Sequence, residues 1–284
     1  MVSREYETQK KLLKSWLVNE LGYRYLGNLH DEYNDPVKPD LLRAHLEKAG
    51  YSDALIKRAI QRMVTLSKNQ SMSLYALNKE MYSLLRYGDK PKETPNSKNV
   101  TVHYINWDDP EANDFAVAEE VTVPRNVEER NKRPDVVIYV NGIALGMFEL
   151  KRSSVSAGEG IRQLLTNQKS ENIPGFFSTE QLLFAGNESE GLFYGVIETP
   201  EKFYLQWSED EKASDPLSLK IRELIGSDKN KLRAGVISLC QKERFLEMVE
   251  NFMIFDAGRK KTARHNQFFA NVAARKYIQN NEGG

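Results

Sequence analysis

The chain has 284 residues, 40% hydrophobic and 10% aromatic, enough for a sizeable core and too apolar for a disordered chain. Forty basic and forty acidic residues cancel to zero net charge, so any contact with nucleic acid must come from a local basic patch rather than a global field. The single cysteine, Cys240, excludes an internal disulfide and a thiolate zinc site and suits a reducing, cytoplasmic compartment, and no stretch is long and apolar enough to span a bilayer.

Residues 4–21 read as an amphipathic helix, with Tyr6, Leu13, Trp16, Leu17 and Leu21 near helical spacing and Gly22 as its stop. Asp31 to Asp40, with two prolines, reads as a loop. Leu41 to Lys48 is a short helix stopped by Gly50. Ser52 is placed to cap a helix at 53–67 that buries Leu55, Ile56, Ala59, Ile60, Met63 and Val64. A further helix at about 72–86 ends at Gly88, and 89–98 is a connector. Alternation predicts a strand through Val100, Val102 and Tyr104, and a second strand spans Phe115 to Val123. Two more, 135–140 and about 145–150, form a hairpin. A helix follows at 158–169. Strands are expected at Leu182 to Ala185, Leu192 to Ile197 and Phe203 to Trp207. After a charged loop at 208–216, helices are predicted at 217–225 and 241–254, the latter burying Phe245, Met248, Val249 and Phe252. The fold class is therefore α/β, a mixed central sheet flanked by helices. The expected division is a helical part at 1–88, a core at 89–207 and a helical extension at 208–284.

The stretch at 133–151 carries the chemistry. Val136 to Val140 is an apolar, β-branched run, Asn141-Gly142 is a strong hairpin signal, and Leu145 to Leu150 is the return run. Asp135 opens one strand, and Glu149 and Lys151 close the other. A two-residue turn pairs Val140 with Ile143 and sets Asp135 against Phe148, which puts Asp135 and Glu149 on opposite faces. A shared metal needs both on one face. A three-residue bulged loop, or an equivalent irregularity in the hairpin, is therefore expected, and a regular two-residue turn counts against the site. The chemistry that fits is phosphodiester hydrolysis. Asp135, Glu149 and the carbonyl of Leu150 would hold Mg²⁺, and Lys151 would orient the attacking water or stabilise charge on the phosphate. The plainer alternative is a surface hairpin with three solvated charges.

Pro134-Asp135 followed by Glu149-Leu150-Lys151 resembles the PD-(D/E)xK nuclease signature. With the flanking Arg133, the Asn-Gly turn and Phe148, and with the upstream run Asn106-Trp107-Asp108-Asp109-Pro110-Glu111-Ala112-Asn113-Asp114-Phe115, the chain resembles the restriction (R) subunit of type I restriction enzymes. The resemblance implies a Mg²⁺-dependent endonuclease core at 89–207, acting on double-stranded DNA. It implies an ATP-driven motor in the full-length subunit, and methylation and specificity subunits as partners. In this family a Gln followed four residues later by Tyr touches DNA near the cut. Gln163 matches the Gln, with a solvated helix residue as the alternative, and Asn167 stands where the Tyr would be. Arg152, beside Lys151, is a second candidate DNA contact.

Gly258 to Ala270 resembles the lead-in to the family's helicase-like motor. Gln267 matches the residue that reads adenine there, while His265 and Asn266 depart from the usual Tyr-His. The basic run Arg259-Lys260-Lys261 either contacts phosphate or is a solvated helix start. No G-x-x-x-x-G-K-[ST] loop occurs, so the chain is expected to be the N-terminal part of a longer subunit, without ATP hydrolysis of its own. A helix-borne acid assists this nuclease class. Glu80 lies on a helix before the strands, where a surface charge is the alternative. The four histidines show no zinc-ligand spacing. The competing functional reading is a catalytically silent nuclease-fold module that docks partner subunits or DNA.

Overall fold

The computed structural model describes residues 4–126 and 131–281. The chain opens with helix α1 (Arg4–Lys10), which runs directly into a π-helical segment, Lys11–Glu20. Its buried residues fall in pairs four apart, Thr8/Gln9, Leu12/Leu13 and Trp16/Leu17, with Leu21 after them. A spacing of four outruns the 3.6 residues of an α-turn, and the wider i→i+5 helix keeps the stripe facing one way. Strand β1 (Arg24–Asn28) follows, then helices α2 (Pro39–Lys48), α3 (Asp53–Ser67) and α4 (Leu74–Tyr87). Ser73 caps α4 by accepting from the Ala76 N–H, whereas Ser52 makes no such bond at α3.

The sheet is built next, from β2 (Phe115–Glu119), β3 (Val136–Val140), β4 (Ile143–Leu150), β5 (Leu182–Asn187), β6 (Gly191–Gly195) and the short β7 (Leu205–Gln206). Among the described residues it has seven strands in sequential order, β1 to β7. The β1–β2 and β4–β5 pairs are parallel, and the other neighbours are antiparallel. The parallel pairs require crossovers, supplied by α2–α4 and by α5 (Ala157–Asn167). One face, with Val136, Ile138, Val140, Phe148 and Leu150, packs on the larger core beneath the N- and C-terminal helices. The other, with Ala118, Val137, Tyr139 and Met147, packs beneath α5 and a 3₁₀ turn at Pro174–Ser178. The mixed α/β architecture expected from the sequence is the one observed. Among the described residues no helix is long and apolar enough to cross a membrane.

Several local expectations are corrected. Val100 to Tyr104 makes an isolated bridge, Asp89 with Val102, and no strand. Its alternation instead serves α3: Tyr104 is buried and its hydroxyl donates to the Ala59 carbonyl at 3.0 Å. β2 ends at Glu119, not Val123, because Glu120 turns into the left-handed region (φ 53°). β7 keeps two of the five residues predicted for it. The helix predicted to reach 254 is α8 (Lys242–Asn251), preceded by α7 (Lys231–Cys240), which is buried along most of its length and shows no stripe to find. The basic run is β9 (Arg259–Thr262), paired with β8 (Met253–Asp256), not a helix start. Helix α6 (Pro216–Ile225) lies where expected, and α9 (His265–Asn281) follows the hairpin.

The β8–β9 hairpin is pinned from inside. Lys260 is buried, and its Nζ donates to Asn78 Oδ1 at 2.9 Å, Gln181 Oε1 at 2.6 Å and the Glu180 carbonyl at 3.3 Å. The Asn78 amide in turn donates to the carbonyls of Phe177, Ser178 and Glu180. Burial pushes the Lys260 ammonium well below its ordinary range and the Glu180 carboxyl well above its own. Lys260→Ala strands the Asn78 and Gln181 side-chain oxygens and empties a buried space, and is expected to lower stability by about 3 kcal/mol. Lys261→Ala, on the exposed face beside Asp256, should change it by less than about 0.5 kcal/mol. Urea denaturation midpoints check both.

Candidate active site

The hairpin turn is a regular two-residue one. Val140 pairs with Ile143, and Asn141 (φ 53°) and Gly142 (φ 80°) both adopt the left-handed conformation that such a turn demands. The expected three-residue loop is therefore absent. The irregularity lies instead inside β4: the register steps between Ile138 and Tyr139, so Tyr139 pairs with Ala144 and Ile138 with Gly146, and Leu145 is the extra residue. This bulge reverses the parity that the turn imposes. Val136 now pairs with Phe148, which sets Asp135 across from Glu149 on the same face of the sheet.

The turn has no room to slip. Asn141 is fully buried; its amide donates to the Tyr104 carbonyl at 2.9 Å and to Asn113 Oδ1 at 2.8 Å, and its Oδ1 accepts from the Asp114 N–H at 2.8 Å. Asn113 is tied to Asn106 in both directions. The 106–115 run thus acts as the socket of the turn. A Cβ on Gly142 would lie 2.7 Å from Leu41 Cβ and from the Lys38 carbonyl.

Asp135 is half-buried, and its Oδ2 accepts from the Leu150 N–H at 2.6 Å. In extended backbone the N–H and C=O of one residue point to the same edge, so the Leu150 carbonyl is directed toward the Asp135 side as well. Glu149 is fully buried, with Lys151 Nζ at 3.8 Å from its Oε2, an ionic contact longer than a hydrogen bond. Lys151 Nζ donates to Gln163 Oε1 at 2.9 Å, so α5 fixes where the ammonium points. α5 can come this close because residue 160 is glycine: a Cβ there would stand 2.9 Å from the Glu149 carbonyl and 3.2 Å from Ala185 Cβ.

A buried carboxylate is costly unless opposite charge accompanies it. Lys151 supplies part of that charge. The donor set facing it, two carboxylates and a backbone carbonyl, is all oxygen and fits a hard divalent cation better than an imidazole- or thiolate-seeking one. Among the described residues there is no cluster of three or more His, Cys, Asp or Glu side chains suited to a metal.

The remaining candidates separate clearly. Gln163 joins the site through Lys151. Arg152 is exposed one residue beyond it, its carbonyl accepting from the Val155 N–H. Asn167 is buried against the sheet at the end of α5, and its side-chain amide has no hydrogen-bond partner among the described residues, so the second position of the Gln-x-x-x-Tyr pattern faces the core here. Glu80 pairs with Arg62 across α3 and α4 at 2.6 Å. Gln267 accepts from the Arg264 N–H at 3.0 Å, half of a capping box at the start of α9. The sequence reading missed Gln9, whose side chain reaches the backbone of Asp135. The four-residue spacing of buried pairs was the signal that places it inward.

Residues 3–202 match the family described as type I restriction enzyme R protein N terminus. The chain belongs to this family. Two proteins of Methanocaldococcus jannaschii, the putative type I restriction enzyme MjaIXP endonuclease subunit and the putative type I restriction enzyme MjaVIIIP endonuclease subunit, are each 24% identical to it, over 91% and 93% of this chain. The chain spans 27% and 25% of their lengths. Within this R-protein N-terminal region lie Gln9, Asp135, Glu149, Lys151 and Gln163; Lys260 and Gln267 lie beyond the matched residues.

Gly160→Ala gains up to about 1 kcal/mol of helix propensity but forces α5 away from Glu149. The net expectation is a loss of about 1–2 kcal/mol, with faster amide hydrogen exchange in β4 and α5. Thermal denaturation and hydrogen exchange measure the two effects.

Proposed function

We propose that this region is the endonuclease module of a type I restriction enzyme R subunit, with a PD-(D/E)xK core that hydrolyses DNA phosphodiester bonds with Mg²⁺. The observation that carries the reading is the placement of Asp135 directly across from Glu149, on one face, with Lys151 beside them. The two relatives are named as endonuclease subunits of type I enzymes, which agrees with it.

Asp135, Glu149 and the Leu150 carbonyl would hold the cation. When bound, Mg²⁺ would polarise the scissile phosphate and lower the pKa of a coordinated water. Lys151, aimed by Gln163, stabilises negative charge developing on the phosphate and orients the attacking water. Gln163 and the exposed Arg152 stand where DNA would approach. In the full-length subunit, an ATP-driven motor would move the DNA, with Gln267 at the adenine site of that motor and with methylation and specificity subunits as partners.

Asp135→Asn, Glu149→Gln and Lys151→Ala are each expected to reduce cleavage of supercoiled plasmid by the complete enzyme by at least about 100-fold, with Tm unchanged within a few degrees. Retention of cleavage by Asp135→Asn overturns the assignment. The zero net charge and the inward Asn167 favour a second reading, a silent nuclease-fold module that docks partner subunits or DNA. Calorimetric titration with Mn²⁺ separates the two: the nuclease binds the ion and Asp135→Asn does not, whereas a silent module shows no difference between them.

A further inference from the structure

The main chain at Asp135 is held from two directions. The Glu120 N–H donates to its carbonyl at 3.0 Å, and Gln9 Nε2 donates to the same carbonyl at 3.0 Å. The Gln9 amide nitrogen also donates to Glu120 Oε1 at 3.0 Å, so both of its hydrogens are used. The other oxygen of the Glu120 carboxylate pairs with Arg133, two residues before Asp135. Gln9 is 3% exposed, and Glu120 occupies the left-handed region. The four residues close a ring: α1 to the end of β2, from there to Arg133, along the chain to Asp135, and back to α1.

The ring is stiff on the α1 side. Gln9 lies two residues before the π-helical segment, whose Leu12, Leu13, Trp16 and Leu17 are buried in the larger core. The amide is therefore delivered from a packed element rather than from a loop. The chemistry of the position is selective as well. Asp135 offers a carbonyl and Glu120 a carboxylate, both acceptors, so the group between them must donate twice and bring no negative charge. A glutamate at position 9 would place a third acceptor among them.

We propose that Gln9 is a positioning residue for the cleavage reaction: it fixes the Asp135 peptide so that the Asp135 carboxylate is presented across from Glu149. This rests on the reading of Asp135 as a metal-holding carboxylate. The amide does not touch the reacting atoms. It acts by restricting how far Asp135 can move when the cation pulls on its carboxylate.

The test uses the complete enzyme with its partner subunits. Gln9→Met keeps the length and packing of the side chain and removes both donors. Its kcat for plasmid cleavage should fall on the order of 10–100-fold, the size expected when a reacting group is misplaced by about an ångström. The Mg²⁺ concentration for half-maximal rate should rise about tenfold, while KM for DNA stays unchanged and the enzyme stays folded with Tm lowered by no more than a few degrees. Unaltered kcat and Mg²⁺ dependence in a folded Gln9→Met enzyme overturn the proposal. If that variant does not fold, the double variant Gln9→Glu/Glu120→Gln restores the contact between the two side chains with reversed polarity, yet gives Asp135 no amide donor from position 9. It should be folded and deficient in cleavage, and full cleavage by it overturns the proposal equally. Asp135→Asn run in parallel keeps the two readings apart: if it still cleaves, the nuclease assignment itself fails; if it is inactive while Gln9→Met is normal, only the role of Gln9 fails.

Discussion

Leu145 and Gly146 oppose the single residue Ile138, and everything at the acid end of the hairpin follows from that extra residue. Side chains alternate along a strand, so a one-residue change in register moves a whole set to the other face. The Asn141-Gly142 turn by itself would leave Asp135 and Glu149 back to back. The bulge brings them together, and its surroundings keep it in place. A Cβ on Gly146 would meet the Phe245 ring at 3.3 Å, and the Leu145 carbonyl accepts from the Gln181 N–H. One end of the register is clamped by the Asn141 socket, the other by the hydrogen bond from Leu150 to Asp135. Between two fixed ends the extra residue has nowhere to go.

The chain uses two lysines for different purposes, one buried and one partly exposed, and their partners tell them apart. Lys260 is enclosed by neutral acceptors, Asn78, Gln181 and a carbonyl, and such a shell satisfies its hydrogens without using its charge. Lys151 is held by one neutral acceptor, Gln163, and keeps a carboxylate at 3.8 Å. Hydrogen bonds that fill every donor make a rigid joint. A charge held beside a buried acid and close to the surface can act on something that arrives.

Much of this was legible in the residues. The turn signal, the β-branched run and charges standing at strand ends located the hairpin and its three groups, because each is a local preference. The need for an irregularity was legible from parity alone. Its position was not: Ile143 to Phe148 is apolar in either register, and the contacts that hold Leu145 and Gly146, from Gln181 and from Phe245 about a hundred residues away, are distant in sequence. Helix α7 escaped notice because it is buried on nearly every side and has no polar face to set a period. Val100 to Tyr104 alternates as a strand would, but its inward residues answer to α3 and not to a neighbouring strand. Gln9 was hidden by its polarity: it stands four residues before Leu13 on the buried stripe, but an apolar pattern passes over an amide.

The last hairpin of the described chain bears on how this molecule can be dissected. β8 and β9 lie about fifty residues beyond the final strand of the sheet, and by position alone they look like an appendage. Yet the ammonium of Lys260 fills a hole lined by α4 and by the segment entering β5, strands away in sequence and at the heart of the sheet in space. A fragment trimmed after β7 would retain that hole with polar walls and no plug. A fragment meant to keep that hole filled would therefore need to run through β9.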